Sequence, residues 1–127
     1  MNEEARKLLE KAERSLHAAM TLFDAGDLEF AAGRAYYAMF HTAQALLREK
    51  GFHYRKHAGV HAAYGEHFAK TGVLDRKYHR WLLDAFDERL RGDYDTDARF
   101  ERDTVFSLIQ RAQEFFATAK GFLKTSE

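Results

Sequence analysis

The decapeptide DERLRGDYDT, residues 87–96, concentrates side chains that could act on an anion. Arg89 carries a planar guanidinium whose paired donors match a phosphate group. Tyr94 follows five positions later, about 140° away around a continuous helix. If Gly92 ends the helix in a left-handed conformation, the chain folds back and Tyr94 returns beside Arg89. The alternative is structural, because an arginine in a last helical turn also interacts favourably with the helix dipole.

A second group of polar residues follows a helical period between residues 30 and 48. At 100° per residue, one narrow stripe holds Arg34, Tyr37, His41, Gln44 and Arg48. Arg34 and His41 lie two turns apart, about 10 Å along the axis, so both could contact one long anionic ligand. We therefore expect Arg34, Tyr37 and His41 to bind a ligand. The alternative is that these are boundary residues with local partners.

The rest of this helix has two different apolar faces. The first is a broad face of mostly large side chains, at positions 36, 39, 40, 43, 46 and 47, and the second holds only small ones, at positions 31, 35, 38, 42 and 45. A helix with a large and a small face is packed on two sides, with a close helix approach over the small one. The pattern predicts a central helix whose polar stripe lines a groove or an interface.

Two further histidines, His57 and His61, stand four positions apart at the start of a helix. This spacing is able to chelate a cation. No carboxylate stands at a matching position, because Glu66 is five residues beyond His61 and falls on another face. We predict no metal site. The sequence also lacks a Gly-rich phosphate loop, a nucleophile elbow and an HExxH motif, and we expect no cofactor.

Composition limits the classes of protein that these residues can serve. The chain has 127 residues, of which 46% are apolar and 31% charged, and its formal net charge is zero. It fits one globular domain, and no strongly cationic nucleic-acid binder is indicated. Residues 48–80 hold eight Lys or Arg and three acids among aromatic residues, which is a modest single-stranded nucleic-acid surface or an ordinary solvated face. Without cysteine, signal peptide or membrane span, we expect a cytoplasmic protein with no membrane partner.

Periodicity predicts the elements that position these residues. Proline is absent and glycines separate five amphipathic segments, at about 2–25, 27–50, 58–70, 75–91 and 102–123. Asp27 and Asp75 are the expected N-caps of the second and fourth segments. No segment alternates like a strand, so the sequence predicts an all-α bundle of about five helices.

Three stretches, SLHAAMTLFDAGDLEFAAGRAYYAMFHTAQALL, RKHAGVH and RLRGDYDT, in this order, resemble the small stand-alone proteins of the HEPN family. The resemblance covers nearly the whole chain and implies one HEPN-like domain, residues 1–127. It further implies an antiparallel up-and-down helical bundle, commonly a homodimer with a cleft at the interface. Many members are metal-independent endoribonucleases, often toxins encoded beside a minimal nucleotidyltransferase that serves as antitoxin. Others are non-catalytic modules that bind nucleotides or partners.

In the ribonuclease members, an arginine is followed after four to six residues by a histidine. Arg89 matches the arginine, but Tyr94 stands at the histidine position. A histidine exchanges protons near neutral pH, whereas a tyrosine titrates near pH 10 and is a poor base. Some members also carry a tyrosine two residues after the histidine, which the nucleotidyltransferase adenylylates; Thr96 occupies that position here.

Two hypotheses follow from the resemblance. In the first, the chain is a non-catalytic nucleotide- or partner-binding module that acts with a nucleotidyltransferase. In the alternative, it is a metal-independent endoribonuclease toxin, in which Arg89 stabilises the phosphorane, Tyr94 or His41 assists proton transfer and Asp93 orients its neighbours. Both predict that Arg89, Tyr94 and the stripe of Arg34 face one groove, at a two-fold interface between copies of the chain.

Overall fold

The computed structural model describes residues 1–125, which form an antiparallel up-and-down helical bundle. The helices are α1 (Glu3–Asp24), α2 (Leu28–Glu49), α3 (His57–Tyr64), α4 (Lys77–Tyr94) and α5 (Arg102–Thr125). A single π-helical turn, Gly65–Ala69, continues α3. Residues 1–125 contain no strand, and the prediction of an all-α bundle of about five helices is confirmed.

Helix α2 lies at the centre of the bundle and contacts α1, α3, α4 and α5. Its small-residue face is completely buried, as are Tyr36, Met39 and Leu46 on its other face. Each large apolar side chain buried in this way stabilises the fold by about 1.5–3 kcal/mol. The prediction that α2 is central, from its two apolar faces, is confirmed.

The helix ends differ from the sequence pattern in several places. Asp27 occupies the N-cap position of α2, but its carboxylate makes no capping hydrogen bond. The N-cap of α4 is Arg76, one residue after the expected Asp75, whose carboxylate accepts a hydrogen bond from the backbone N–H of Lys77 at 2.9 Å. Helix α4 does not end at Arg91. It passes Gly92 without interruption and continues to Tyr94. The predicted left-handed turn at Gly92 is therefore wrong, since its φ is not positive.

Candidate functional site

Two arginines from different helices lie against one tyrosine ring. Tyr37 projects from α2, and its ring centroid is 4.7 Å from Cζ of Arg34 and 4.9 Å from Cζ of Arg89. Arg34 precedes Tyr37 by one helical turn, and Arg89 reaches it from α4, which packs against α2. These side chains line a cavity of about 170 Å³, together with Glu29, Phe30, Gly33 and Asp93.

The two arginines differ in how their charge is balanced. Arg89 forms an ion pair with Asp93 one turn later on α4, with 3.3 Å between Nη2 and Oδ2. Arg34 is exposed and forms no ion pair with any residue between 1 and 125. Glu29 also lines the cavity, so two carboxylates stand beside the two guanidinium groups. The exposed guanidinium of Arg34 is therefore the group at this cavity that is available to an anion.

Tyr94 does not join this cavity. Its side chain is 83% exposed, because α4 remains helical through Gly92 and carries Tyr94 to a different face from Arg89. Glycine at position 92 instead allows a close approach: a Cβ there would lie 3.0 Å from Cζ of Phe100 and 3.1 Å from Cγ of Glu29. The expectation that Tyr94 returns beside Arg89 is wrong within one chain. Gly92 lies inside the helix, where it allows Phe100 and Glu29 to pack closely against the backbone.

His41 contacts the same tyrosine from the other direction along α2. Its ring stacks on that of Tyr37 at 5.8 Å and 29°, and its Nδ1 hydrogen-bonds to Oε1 of Gln44 at 3.1 Å. Burial lowers the pKa of His41, although the hydrogen bond to Gln44 opposes this effect. His41 is therefore neutral at pH 7. Arg48, the last residue of the polar stripe, does not belong to this group, because it forms an ion pair with Glu4 at 3.1 Å, away from the cavity.

A group that the sequence pattern did not reveal lies beside the cavity. The hydroxyl of Tyr36, a completely buried side chain, is 2.6 Å from Nδ1 of His57 and 2.8 Å from Nε2 of His61. Burial raises the pKa of Tyr36, and burial also lowers that of His61 to about 4. The pKa of His57 is lowered by burial and by the charge of Arg89.

The signal for this group was present in the sequence as the spacing of the two histidines. A separation of four residues places His57 and His61 on one face of α3, as the metal argument required. This face meets the hydroxyl of Tyr36, which the sequence pattern assigns to the apolar core face of α2. Residues 1–125 contain no cluster of three or more histidine or carboxylate side chains able to hold a metal ion.

The fold and these stretches of sequence agree with one family. The HEPN domain profile matches residues 5–122, and the chain belongs to the HEPN family. Putative toxin MJ0605 of Methanocaldococcus jannaschii is 38% identical over 98% of this chain and 92% of that protein. Putative toxin MJ0142 of the same organism is 33% identical over 94% of the chain and 82% of that protein. UPF0332 protein glr0978 of Gloeobacter violaceus is 34% identical over 97% of the chain and 98% of that protein.

None of the helices between residues 1 and 125 combines the length and the apolar character that crossing a bilayer requires.

Proposed function

We propose that this chain is a toxin-like HEPN protein that binds the phosphate groups of single-stranded RNA at Arg34 and Arg89. The observation that supports this function is the placement of both guanidinium groups within 5 Å of the Tyr37 ring, at the edge of one cavity. Guanidinium groups hydrogen-bond to phosphate oxygens in pairs. The toxin-like role is supported by the names of the two relatives from Methanocaldococcus jannaschii.

RNA binding by fluorescence anisotropy tests the proposal, with a labelled single-stranded RNA of mixed sequence as the probe. A charge-assisted hydrogen bond contributes about 1.5–3 kcal/mol, so Arg34→Ala and Arg89→Ala should each weaken binding about tenfold to 100-fold. Each variant should also reduce the slope of log affinity against log salt by about 0.7, the value for one phosphate contact on a single strand.

Arg111→Ala is the matched control, because Arg111 also lies over an aromatic ring, 5.2 Å from the centroid of Trp81, but outside the cavity. It should leave affinity and salt slope within about twofold of the unaltered chain, as expected for a surface arginine. Equal RNA affinity in all four proteins would refute the proposed site. Competition by AMP or ATP below millimolar concentration would indicate a mononucleotide ligand in place of RNA.

We further propose that the chain forms a homodimer at the mouth of this cavity. Phe30, which lines the cavity, is 60% exposed, and Tyr94 is 83% exposed at the end of the neighbouring helix. Large exposed apolar side chains of this kind favour a protein interface. Light scattering during gel filtration should give twice the chain mass for the unaltered protein and one chain mass for Phe30→Glu. Val73→Glu, at an exposed loop position, should remain a dimer.

A minimal nucleotidyltransferase is the proposed second partner, in the role of an antitoxin. The toxin names of the two relatives are consistent with an antitoxin partner, and the HEPN family resemblance implies a nucleotidyltransferase in that role. Co-expression with the nucleotidyltransferase of a neighbouring gene should yield a complex that survives gel filtration. Independent migration of the two proteins would contradict the partnership and would leave the RNA site untouched.

A further inference from the structure

A proton-sharing group lies beside the arginine cavity. The Tyr36 hydroxyl contacts one ring nitrogen of His57 and one of His61, at 2.6 and 2.8 Å. Tyr36 and His61 are buried, whereas His57 is the first residue of α3 and its side chain is partly exposed. Of these three groups, His57 is therefore the one that a ligand can reach.

Counting protons shows what this arrangement can do. The phenol has a single proton to donate, so it donates to one imidazole and accepts from the other. When Tyr36 donates to Nε2 of His61, it accepts from Nδ1–H of His57. The second nitrogen of His57, Nε2, is then unprotonated and free to take up a proton. Because burial keeps the pKa of His61 near 4, that imidazole stays neutral as this hydrogen bond requires.

His57 and Arg89 are brought together by the rings of α2. The His57 ring centroid is 5.6 Å from that of Tyr36 and 5.9 Å from that of Tyr37. Cζ of Arg89 is 5.9 Å and 4.9 Å from the same two centroids. The titratable or charged groups that face His57 are thus Tyr36 and Tyr37 from α2, His61 from α3 and Arg89 from α4.

We propose that His57 transfers the proton in an RNA-cleaving reaction at the Arg89 site, and that Tyr36 and His61 hold its ring in the competent tautomer. This inference rests on the proposed RNA-binding function. The 2′-oxygen of a ribose forms a bond to the adjacent phosphorus while its proton moves to Nε2 of His57. The bond from phosphorus to the 5′-oxygen breaks, and that oxygen receives one proton from His57. The products are a 2′,3′-cyclic phosphate and a 5′-hydroxyl end.

His57 fits this role better than the two other candidates. Tyr94 points into solvent on another face of α4, and a phenol is a weak base at neutral pH. His41 is buried and its Nδ1 is bonded to Gln44, which lies on its own helix. His57 combines partial exposure, a hydrogen bond between its Nδ1 and the Tyr36 hydroxyl, and a position beside Arg89, whose guanidinium would stabilise the charge on phosphorus.

The test uses the purified full-length protein and total bacterial RNA as substrate, with end-group analysis of the fragments. The unaltered chain should leave 2′,3′-cyclic phosphate ends. Loss of a general base lowers the rate by about 100-fold or more, so His57→Ala should be at least this much slower. His53→Ala, an exposed histidine of the preceding loop, is the matched control and should cleave at the unaltered rate.

Two further readouts separate chemistry from folding. Added imidazole should restore cleavage to His57→Ala but not to Arg89→Ala, because a free base can replace a missing base but not a missing cation. Tyr36→Phe should lower kcat about tenfold with little change in KM, as expected for a residue that positions the base. In the unaltered chain the rate should fall at acid pH as His57 becomes protonated, and this limb should vanish in His57→Ala.

The outcomes are distinct for the two proposals. Absence of cleavage by the unaltered chain, or His57→Ala within about threefold of it, would overturn the role of His57. If RNA binding still depends on Arg34 and Arg89 in that case, the proposed binding function stands. Loss of both the cleavage and the arginine-dependent binding would remove the function itself. Failure of imidazole to rescue a correctly folded His57→Ala would also count against proton transfer by this residue.

Discussion

Acid should destabilise this fold through His61, and a single substitution should remove most of that effect. The pKa of His61 is about 4 in the folded chain against an ordinary value of 6.5, because burial disfavours the imidazolium. Below pH 6.5 the unfolded chain therefore binds a proton that the folded chain does not. By linkage, the free energy of unfolding falls as the pH falls from 6.5 towards 4, and it changes no further below that range through this group.

The size of the effect follows from the two pKa values. Acidification from pH 7 to pH 5 should lower the free energy of unfolding by about 2 kcal/mol through His61 alone. For a chain of this length, 2 kcal/mol corresponds to a shift in Tm of about 8 °C. His57, whose pKa is also lowered, adds a loss of the same sign.

Urea unfolding followed by circular dichroism at pH 7 and pH 5 measures this difference. His61→Gln removes the titrating group while its amide can still reach the hydroxyl of Tyr36, so this variant should lose about 2 kcal/mol less than the unaltered chain between the two pH values. His53→Gln is the control and should lose as much as the unaltered chain. If His61→Gln and the unaltered chain show the same pH dependence, the burial of His61 does not control its protonation and the reasoning is wrong.

Three Gly→Ala substitutions should distinguish the steric effect of an added Cβ from its effect on helix propensity, in the same urea assay. Gly121→Ala should raise the free energy of unfolding by about 0.5–1 kcal/mol, because nothing lies within 4 Å of the added Cβ on α5. Gly65→Ala should lower it by about 1–3 kcal/mol, because the Cβ would lie 2.7 Å from Cε1 of His79, and a gain in stability would contradict this packing. Gly92→Ala should gain less than Gly121→Ala, because its Cβ meets Phe100 at 3.0 Å, and an equal gain would show that Phe100 yields freely.

Local patterns were sufficient to predict the bundle. The helices were predicted from the helical spacing of apolar residues in α1 and α5 and from the two apolar faces of α2. These patterns relate residues three or four positions apart, so they can be read directly from the sequence. The π-helical turn at Gly65–Ala69 was not predicted, and the third segment looked like one continuous helix. The Gly65 backbone packs against His79, whose Nε2–H donates a hydrogen bond to the carbonyl oxygen of His61 at 3.1 Å. That contact comes from another helix and has no local signature.

The candidate site was predictable only where its residues share one helix. Arg34, Tyr37 and His41 were grouped by the period of α2, and the structure brings Arg89 of α4 to the same ring. The prediction at Gly92 was wrong because a glycine permits both a left-handed helix end and a close approach of other segments of the chain. Its neighbours Phe100 and Glu29 are distant from it in sequence or on another helix, so the choice between the two could not be made from the decapeptide.

The family motif places a histidine within a few residues of Arg89, and the sequence otherwise suggested only His41 of α2 as a base, but proximity along the chain is only one way of placing a base. A short motif on one helix keeps arginine and histidine together through the helix itself. In this bundle, α2 contacts both α3 and α4, so its two tyrosine rings can hold a base from one neighbour against a cation from the other. The side chain at position 94 can then vary without removing a histidine from the site. The question that decides between a binding module and an enzyme therefore moves from Tyr94 to His57.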